Sequence, residues 1–344
     1  MGRRRVGEKD RAGRGLSSYN GHDGDLVTIF FSAFPLRAMH GPQHPPRGSS
    51  MAPPNRRQFL AASATLAAGP MLAPAAEIKP AGIPFKLGLV TYNTAATWDL
   101  PSLLEASQTA GIAAVECRTT HKHGVEPSLS PVRRREIKQQ FADSGVVFWG
   151  SGSVCEFHSP DPAVVRRQIE TCKEFIQLVA DLGGTGVKVR PNALPKEVPV
   201  ETTLAQVGKS LIECGTAAAA AGIEIWVEVH GHGTQEPAHM KTIMDHCGHP
   251  AVGVTWNSNP TDLKNGSVAE AFELLRPFIK SCHINDLYKD RTGEYPYREL
   301  FQLLRQAGYD RYTLIEVGRS QPDLASGIEF LRYYQALWTE LARG

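Results

Sequence analysis

From Lys86 onward, short apolar runs rich in β-branched residues alternate with longer segments whose apolar residues recur every three or four positions. The short runs predict strands over Leu87–Tyr92, Ala114–Arg118, Val146–Ser151, Gly186–Arg190, Glu224–His230, Val252–Asn257, Ser281–Asn285 and Tyr312–Val317. Amphipathic helices follow, for example over Val132–Asp143, Pro162–Leu182, Thr203–Ala221 and Leu324–Leu341. Gly111, Gly145, Gly183, Gly222, Gly248 and Gly308 stand at predicted helix ends, where a left-handed cap is wanted. Eight such alternations within about 255 residues predict an α/β fold closed as one (β/α)8 barrel over residues 86–344. An open doubly wound sheet fits less well, because no G-x-G-x-x-G turn follows the first strand.

Side chains alternate along each strand, one face meeting the helices and the other pointing into the barrel. In the fifth strand Ile225, Val227 and Val229 share the apolar face, so Trp226, Glu228 and His230 point inward. The same rule turns Leu314 and Glu316, His283 and Asn285, and Thr255 and Asn257 inward. It also turns in Lys188 and Arg190 from the fourth strand, and Glu116 and Arg118 from the second. Buried charges are costly unless paired or bound to metal. These groups converge on the C-terminal mouth, where barrel active sites lie. A site there, holding a metal ion, accounts for them better than packing does. His121 and His123 read either as lining the entrance or as a solvated loop, and Trp98 and Trp149 either as an apolar wall of the site or as core.

Composition changes the reading mainly at the front of the chain. Of 37 Lys and Arg and 35 Asp and Glu, residues 1–85 hold 11 and 5, leaving a mildly acidic remainder. A nucleic-acid partner is therefore not expected. Residues 1–50 read as a disordered or mis-started extension, and 51–85 as a twin-arginine (Tat) signal and linker. That signal consists of Arg56-Arg57, an apolar stretch to Ala68 and Ala73-Pro74-Ala75 as the cleavage site. Periplasmic or secreted localisation follows, with no membrane contact after cleavage; a basic leader on a cytoplasmic enzyme is the alternative. The six cysteines form no C-x-x-C pair and read as buried free thiols.

Four short motifs, WVEVHG, VTWNSNP, SCHIND and LIEVG, in this order and strand placement, resemble the xylose isomerase-like TIM barrel family of sugar phosphate isomerases and epimerases. The resemblance spans about residues 86 to 340. It implies one divalent ion (Mn2+, Co2+, Mg2+ or Zn2+) held by Glu228, Asn257, His283 and Glu316, with Asn257 in place of the family's usual Asp. An amide oxygen can still ligate, with one negative charge fewer. The resemblance also implies that Glu228 and Glu316 form an acid/base pair. His230, Lys188, Arg190 and Glu116 then become candidate contacts to a small sugar substrate. The expected activity is metal-dependent isomerisation or epimerisation of a keto sugar or related derivative, by proton abstraction next to a carbonyl. A lyase eliminating from a 3-keto-glycoside would use the same pair. A Schiff-base aldolase on Lys188, a non-catalytic metal- or sugar-binding barrel and a homo-oligomer stay open. A DNA-repair endonuclease does not fit, for want of further His and carboxylate ligands and a basic groove.

Replacing both Arg56 and Arg57 with Lys is expected to retain the protein in the cytoplasm, and the exported form should begin near Ala76 on N-terminal sequencing. Unchanged export of the double variant would remove the Tat reading.

Overall fold

The structure, a computed structural model, describes residues 82–344. The signal segments assigned above lie outside the described residues as far as residue 81. The elements in chain order are β1 (Lys86–Val90), α1 (Tyr92–Ala95), α2 (Leu100–Thr109), β2 (Ala114–Arg118), α3 (Pro131–Ser144), β3 (Val147–Gly152), α4 (Pro162–Leu182) and β4 (Gly186–Val189). They continue with α5 (Val200–Ala220), β5 (Glu224–Glu228), α6 (Pro237–Cys247), β6 (Val252–Asn257), α7 (Ala269–Leu275), β7 (Ile279–Ile284), α8 (Lys289–Thr292), α9 (Tyr297–Gln306), β8 (Tyr312–Ile315) and α10 (Leu324–Arg343). All strand pairs are parallel, and β8 closes on β1 to complete the predicted barrel. The six glycines singled out above all take positive φ, between 55° and 80°. No helix among the described residues is long and apolar enough to cross a membrane.

Two apolar regions hold the barrel. The larger packs the outward faces of the strands, such as Ile225, Val227, Val254, Cys282 and Ile315, against the helices. It includes Phe85, which sits against Phe301, Tyr309 and Trp338, so the packed barrel begins just ahead of Lys86. Trp98 belongs to it too, and all six cysteines are buried and unpaired. The smaller region lies inside the barrel and comprises Val90, Ala114, Trp149, Trp226 and Leu314. Trp149 reaches it through a bulge: Val115 pairs with Phe148 and Glu116 with Gly150, leaving Trp149 as the extra residue. Its ring stacks on Trp226 at 4.9 Å, and Tyr312 meets it edge-on at 4.7 Å. A Cβ at Gly186 would collide with the Trp226 ring, so the glycine makes room for this plug. Trp98 and Trp149 are therefore packing residues.

A charged clasp closes the N-terminal rim. Arg311 grips Glu224 through two bonds of 2.7 and 3.0 Å, and Lys280 and Trp226 reach the same carboxylate at 3.0 and 2.8 Å. It ties β5, β7 and the start of β8 beneath the plug, the end of a barrel that serves stability. Burial pushes the Glu224 pKa up, but Arg311, Trp226 and Lys280 outweigh it and bring it to about 2. Its stabilising contribution is therefore full above the unfolded-state value near 4.3 and fades as pH falls toward 2. Glu224→Gln should lower the melting temperature at pH 7 by roughly 3–6 °C, with the gap to wild type closing between about pH 4.5 and 2 in a thermal-melt series. A gap that stays constant with pH would show that charge is not what the clasp contributes.

Candidate metal centre

The inward polar residues meet above the aromatic plug. Asn257 and His283 are paired across β6 and β7, and His283 stands beside Leu314 on β8. Glu228 is the last residue of β5; the chain then turns tightly around Val229, with His230 N–H donating to the Glu228 carbonyl at 2.8 Å. Glu316 follows the last residue of β8, its N–H bonded to the Ile284 carbonyl at 2.8 Å. Strands five and eight are thus shorter than their sequence patterns, but the added residues stay on the expected side.

Glu228, His283 and Glu316 each offer a ligand atom, all within 4.8 Å of one another. His283 is fully buried, and its two ring nitrogens have different surroundings. Nε2 lies 3.2 Å from Glu116 Oε2. Nδ1 has no hydrogen-bond partner and lies 3.2 Å from Glu316 Oε2 and 3.7 Å from Glu228 Oε1. This is the arrangement of a metal-ligating histidine: one N–H held by a carboxylate, the other nitrogen left to face a cation between carboxylates. The residues present therefore fit one divalent ion, and a mixed carboxylate–imidazole set suits Zn2+, Mn2+ or Co2+. Burial alone would lower the His283 pKa; the Glu316, Glu116 and Glu228 carboxylates outweigh it and hold it well above the ordinary value. A proton occupies the imidazole when no cation does, and metal uptake must displace it.

Around this core, Lys188 Nζ bonds Glu228 Oε2 at 2.8 Å, both side chains being buried. An ammonium committed to that pair is poorly placed for Schiff-base chemistry. Burial pushes the Glu228 pKa up, but Lys188, His283 and His230 draw it well below the ordinary range, so Glu228 is anionic at neutral pH. Asn257 sits beside the same carboxylate, Nδ2 3.4 Å from Oε1. A half-turn of the amide about its χ2 bond presents the oxygen instead.

A cavity of about 380 Å3 opens above these groups. Of the sequence-predicted contacts, Lys188, Arg190 and His230 line it together with Glu228, Asn257 and Glu316. Glu116 departs from its expected role: it is fully buried, turned onto His283 and absent from the lining, so it positions the imidazole and is not placed to touch a substrate. His121 and His123 do not line the cavity either. His123 braces the loop through the Arg118 carbonyl and the Val125 N–H, both at 3.0 Å, and His121 bonds Thr91 at 2.9 Å. Burial brings both imidazoles to about 4, with Arg118 adding to it for His121 and His121 for His123. The lining also contains Tyr92, Arg118, Asn259 and Asn285, outside the predicted site. Alternation marks Arg118 and Asn285 as inward, whereas Asn259 lies beyond the strand, where no periodicity operates. Its amide nitrogen holds the Val229 and Asn257 carbonyls at 2.6 and 2.9 Å, which ties the ends of β5 and β6 together.

The sequence profile of the xylose isomerase-like TIM barrel matches residues 104–334. The chain belongs to that family. A sequence search finds no curated protein that matches. Among solved structures, the fold is shared with a D-psicose 3-epimerase determined in the presence of D-fructose, at 16% identity, 75% of this chain and 100% of that one, and TM-score 0.63. It is shared with the 3-keto-D-glucoside 4-epimerase of E. coli at 17% identity, covering 74% and 99%, TM-score 0.60. The IOLI protein with a bound zinc atom is similar at 17% identity, covering 75% and 98%, TM-score 0.60.

Removing the carboxylate behind His283 should loosen the ion without touching a ligand. Glu116→Gln is expected to weaken Mn2+ or Zn2+ binding by ~10–100-fold, and wild-type uptake should release a proton, both read by titration calorimetry in buffers of different ionisation enthalpy. Equal affinity of the variant and wild type would remove Glu116 as the orienting group.

Proposed function

We propose that the protein is a divalent-metal-dependent isomerase or epimerase that acts on a keto sugar or related sugar derivative and moves a proton at the carbon next to its carbonyl. The observation carrying this reading is the approach of two carboxylates, Glu228 and Glu316, to one buried imidazole nitrogen at the base of an open cavity. Asn257, through its amide oxygen, completes the proposed ligand set.

When bound, the ion supplies Lewis-acid polarisation of the carbonyl. Glu228 is anionic at rest and is held by Lys188 through Oε2, which leaves Oε1 toward the His283 side. It is the proposed base that takes the C–H proton. Glu316, whose side chain is only 12% exposed, approaches from β8, three strands around the ring, and is the proposed acid. Protonated before the step, it returns a proton from its own side, after which Glu228 releases its proton to solvent and Glu316 takes one up. Return at the same carbon on the other face is epimerisation; return at the neighbouring carbon is isomerisation. The cavity is lined by His230, Asn259 and Asn285, which offer hydrogen bonds to hydroxyl groups, and its size suits a monosaccharide-scale molecule. Similarity of fold to sugar epimerases supports the same class. If the leader acts as an export signal, an unphosphorylated substrate outside the cytoplasm goes with it.

Each Glu→Gln change keeps a ligating oxygen and removes the base. Glu228→Gln and Glu316→Gln should retain much of their metal while losing at least ~10²-fold in turnover, measured as substrate deuteration in heavy water. Recovery of both variants on adding excess ion would mean that the carboxylates serve only as ligands.

A further inference from the structure

We infer that the substrate is a sugar acid, with a carboxylate at the end remote from its carbonyl, and that Arg118 receives this carboxylate. The inference deepens the sugar isomerase reading and rests on it for the identity of the cavity as a substrate site.

Three cations line the cavity, and two are committed. Lys188 pairs with Glu228 at 2.8 Å and Arg190 with Glu156 at 2.9 Å. The guanidinium of Arg118 has no ion pair or hydrogen bond within the distances that define the others, among the described residues. It lies over the face of Tyr92, 4.8 Å from the ring centroid. Stacking fixes the plane of a guanidinium but leaves its in-plane N–H donors unused. A planar, partly buried fork with free donors is the geometry that a carboxylate fills through two parallel bonds.

The surroundings direct such a ligand. Arg118, Gly152 and Lys188 lie in one cross-strand row over β2, β3 and β4. Gly152 itself puts no side chain between them; a Cβ there would meet the Glu116 Oε1 first, at 2.9 Å, and then the Arg118 Cα and the Lys188 Cε, both at 3.5 Å. The glycine therefore adds no bulk between Arg118 and Lys188, and the buried Glu116 carboxylate borders the row there. Charge is also segregated across the cavity, with the lining cations on β2 and the β4 end and the lining carboxylates on β5 and the β8 end. A molecule with its carbonyl at the Glu228–Glu316 side and its anion at Arg118 matches both walls. A phosphate would call for several converging donors, commonly backbone N–H groups at a helix N-terminus. One uncommitted guanidinium suits a single carboxylate.

The test measures binding and turnover separately on the full chain, loaded with Mn2+ and again in chelator. The binding probes are D-glucuronate, D-glucose and D-glucose 6-phosphate, by calorimetry. Glucuronate should bind at least ~10-fold tighter than glucose, as a charge-assisted pair implies, and Arg118→Gln should reduce the preference to within about twofold. Arg118→Lys, which keeps the charge and loses the fork, should fall between, and thermal melts confirm that each variant is folded. The preference should persist in chelator. Its loss there would assign the carboxylate to the ion and overturn the inference, as would equal binding of acid and neutral sugar, or a preference that Arg118→Gln leaves intact. Tighter binding of the phosphate than of glucuronate would overturn the carboxylate assignment. Deuterium exchange on keto-sugar acids against neutral ketoses then tests the activity: no exchange on any sugar, with the binding preference intact, would sink the isomerase reading and leave the Arg118 site standing.

Discussion

The placement of His283 between Glu116 and the Glu228–Glu316 pair is the interaction on which the site depends. An imidazole with no exposure would ordinarily be neutral, yet three carboxylates surround this one. Once the imidazole has given up its extra proton, those carboxylates and the Lys188 ammonium sum to two formal negative charges, which one divalent cation cancels. Asn257 and Lys188 act in the same direction on that balance. The amide in place of a carboxylate removes one negative charge, and the ammonium offsets another. Under the proposed function, both would lower the field on a bound cation, leaving it less tightly held and a stronger acceptor of electrons from a substrate oxygen.

The charged layer rests on a barrel that is closed and filled with apolar side chains beneath it. Trp149, Trp226 and Leu314 fill the interior directly below, and the Glu224–Arg311–Lys280 clasp seals the opposite rim. The ends of β5 and β6, which present Glu228 and Asn257, are joined by the Asn259 amide. Asn259 is held in turn by Asp262, which accepts its backbone N–H at 2.9 Å and the Tyr295 hydroxyl at 2.7 Å. Glu228 and Asn257 therefore sit on strand ends braced from below and from the side, as a preorganised site requires.

Much of this was legible from strand alternation, because a barrel strand has two faces with opposite demands. Glu228, Asn257, His283, Glu316 and Lys188 could be turned inward by noticing which neighbours were β-branched and apolar. Alternation says which way a side chain points but not what it meets. Glu116 and His283 are 167 residues apart in sequence, and nothing local marks them as partners. Trp149 stayed open between wall and core for a different reason: the bulge inserts one residue into β3 and locally breaks the period of two. Asn259 lies past the strand in a capping turn, where position depends on loop geometry. The committed pairs of Lys188 and Arg190, and the lack of one for Arg118, are tertiary facts that composition does not carry.

The central claim is that His283 Nδ1, Glu228 and Glu316 face a single cation while Glu116 holds the imidazole from behind. Anomalous diffraction from crystals grown with Mn2+ tests it directly. The account predicts one strong peak within bonding distance of Nδ1 and of both carboxylates, with Nε2 still on Glu116. A peak on Nε2, a peak elsewhere in the barrel, or no peak at millimolar Mn2+ in crystals that keep this fold would contradict it.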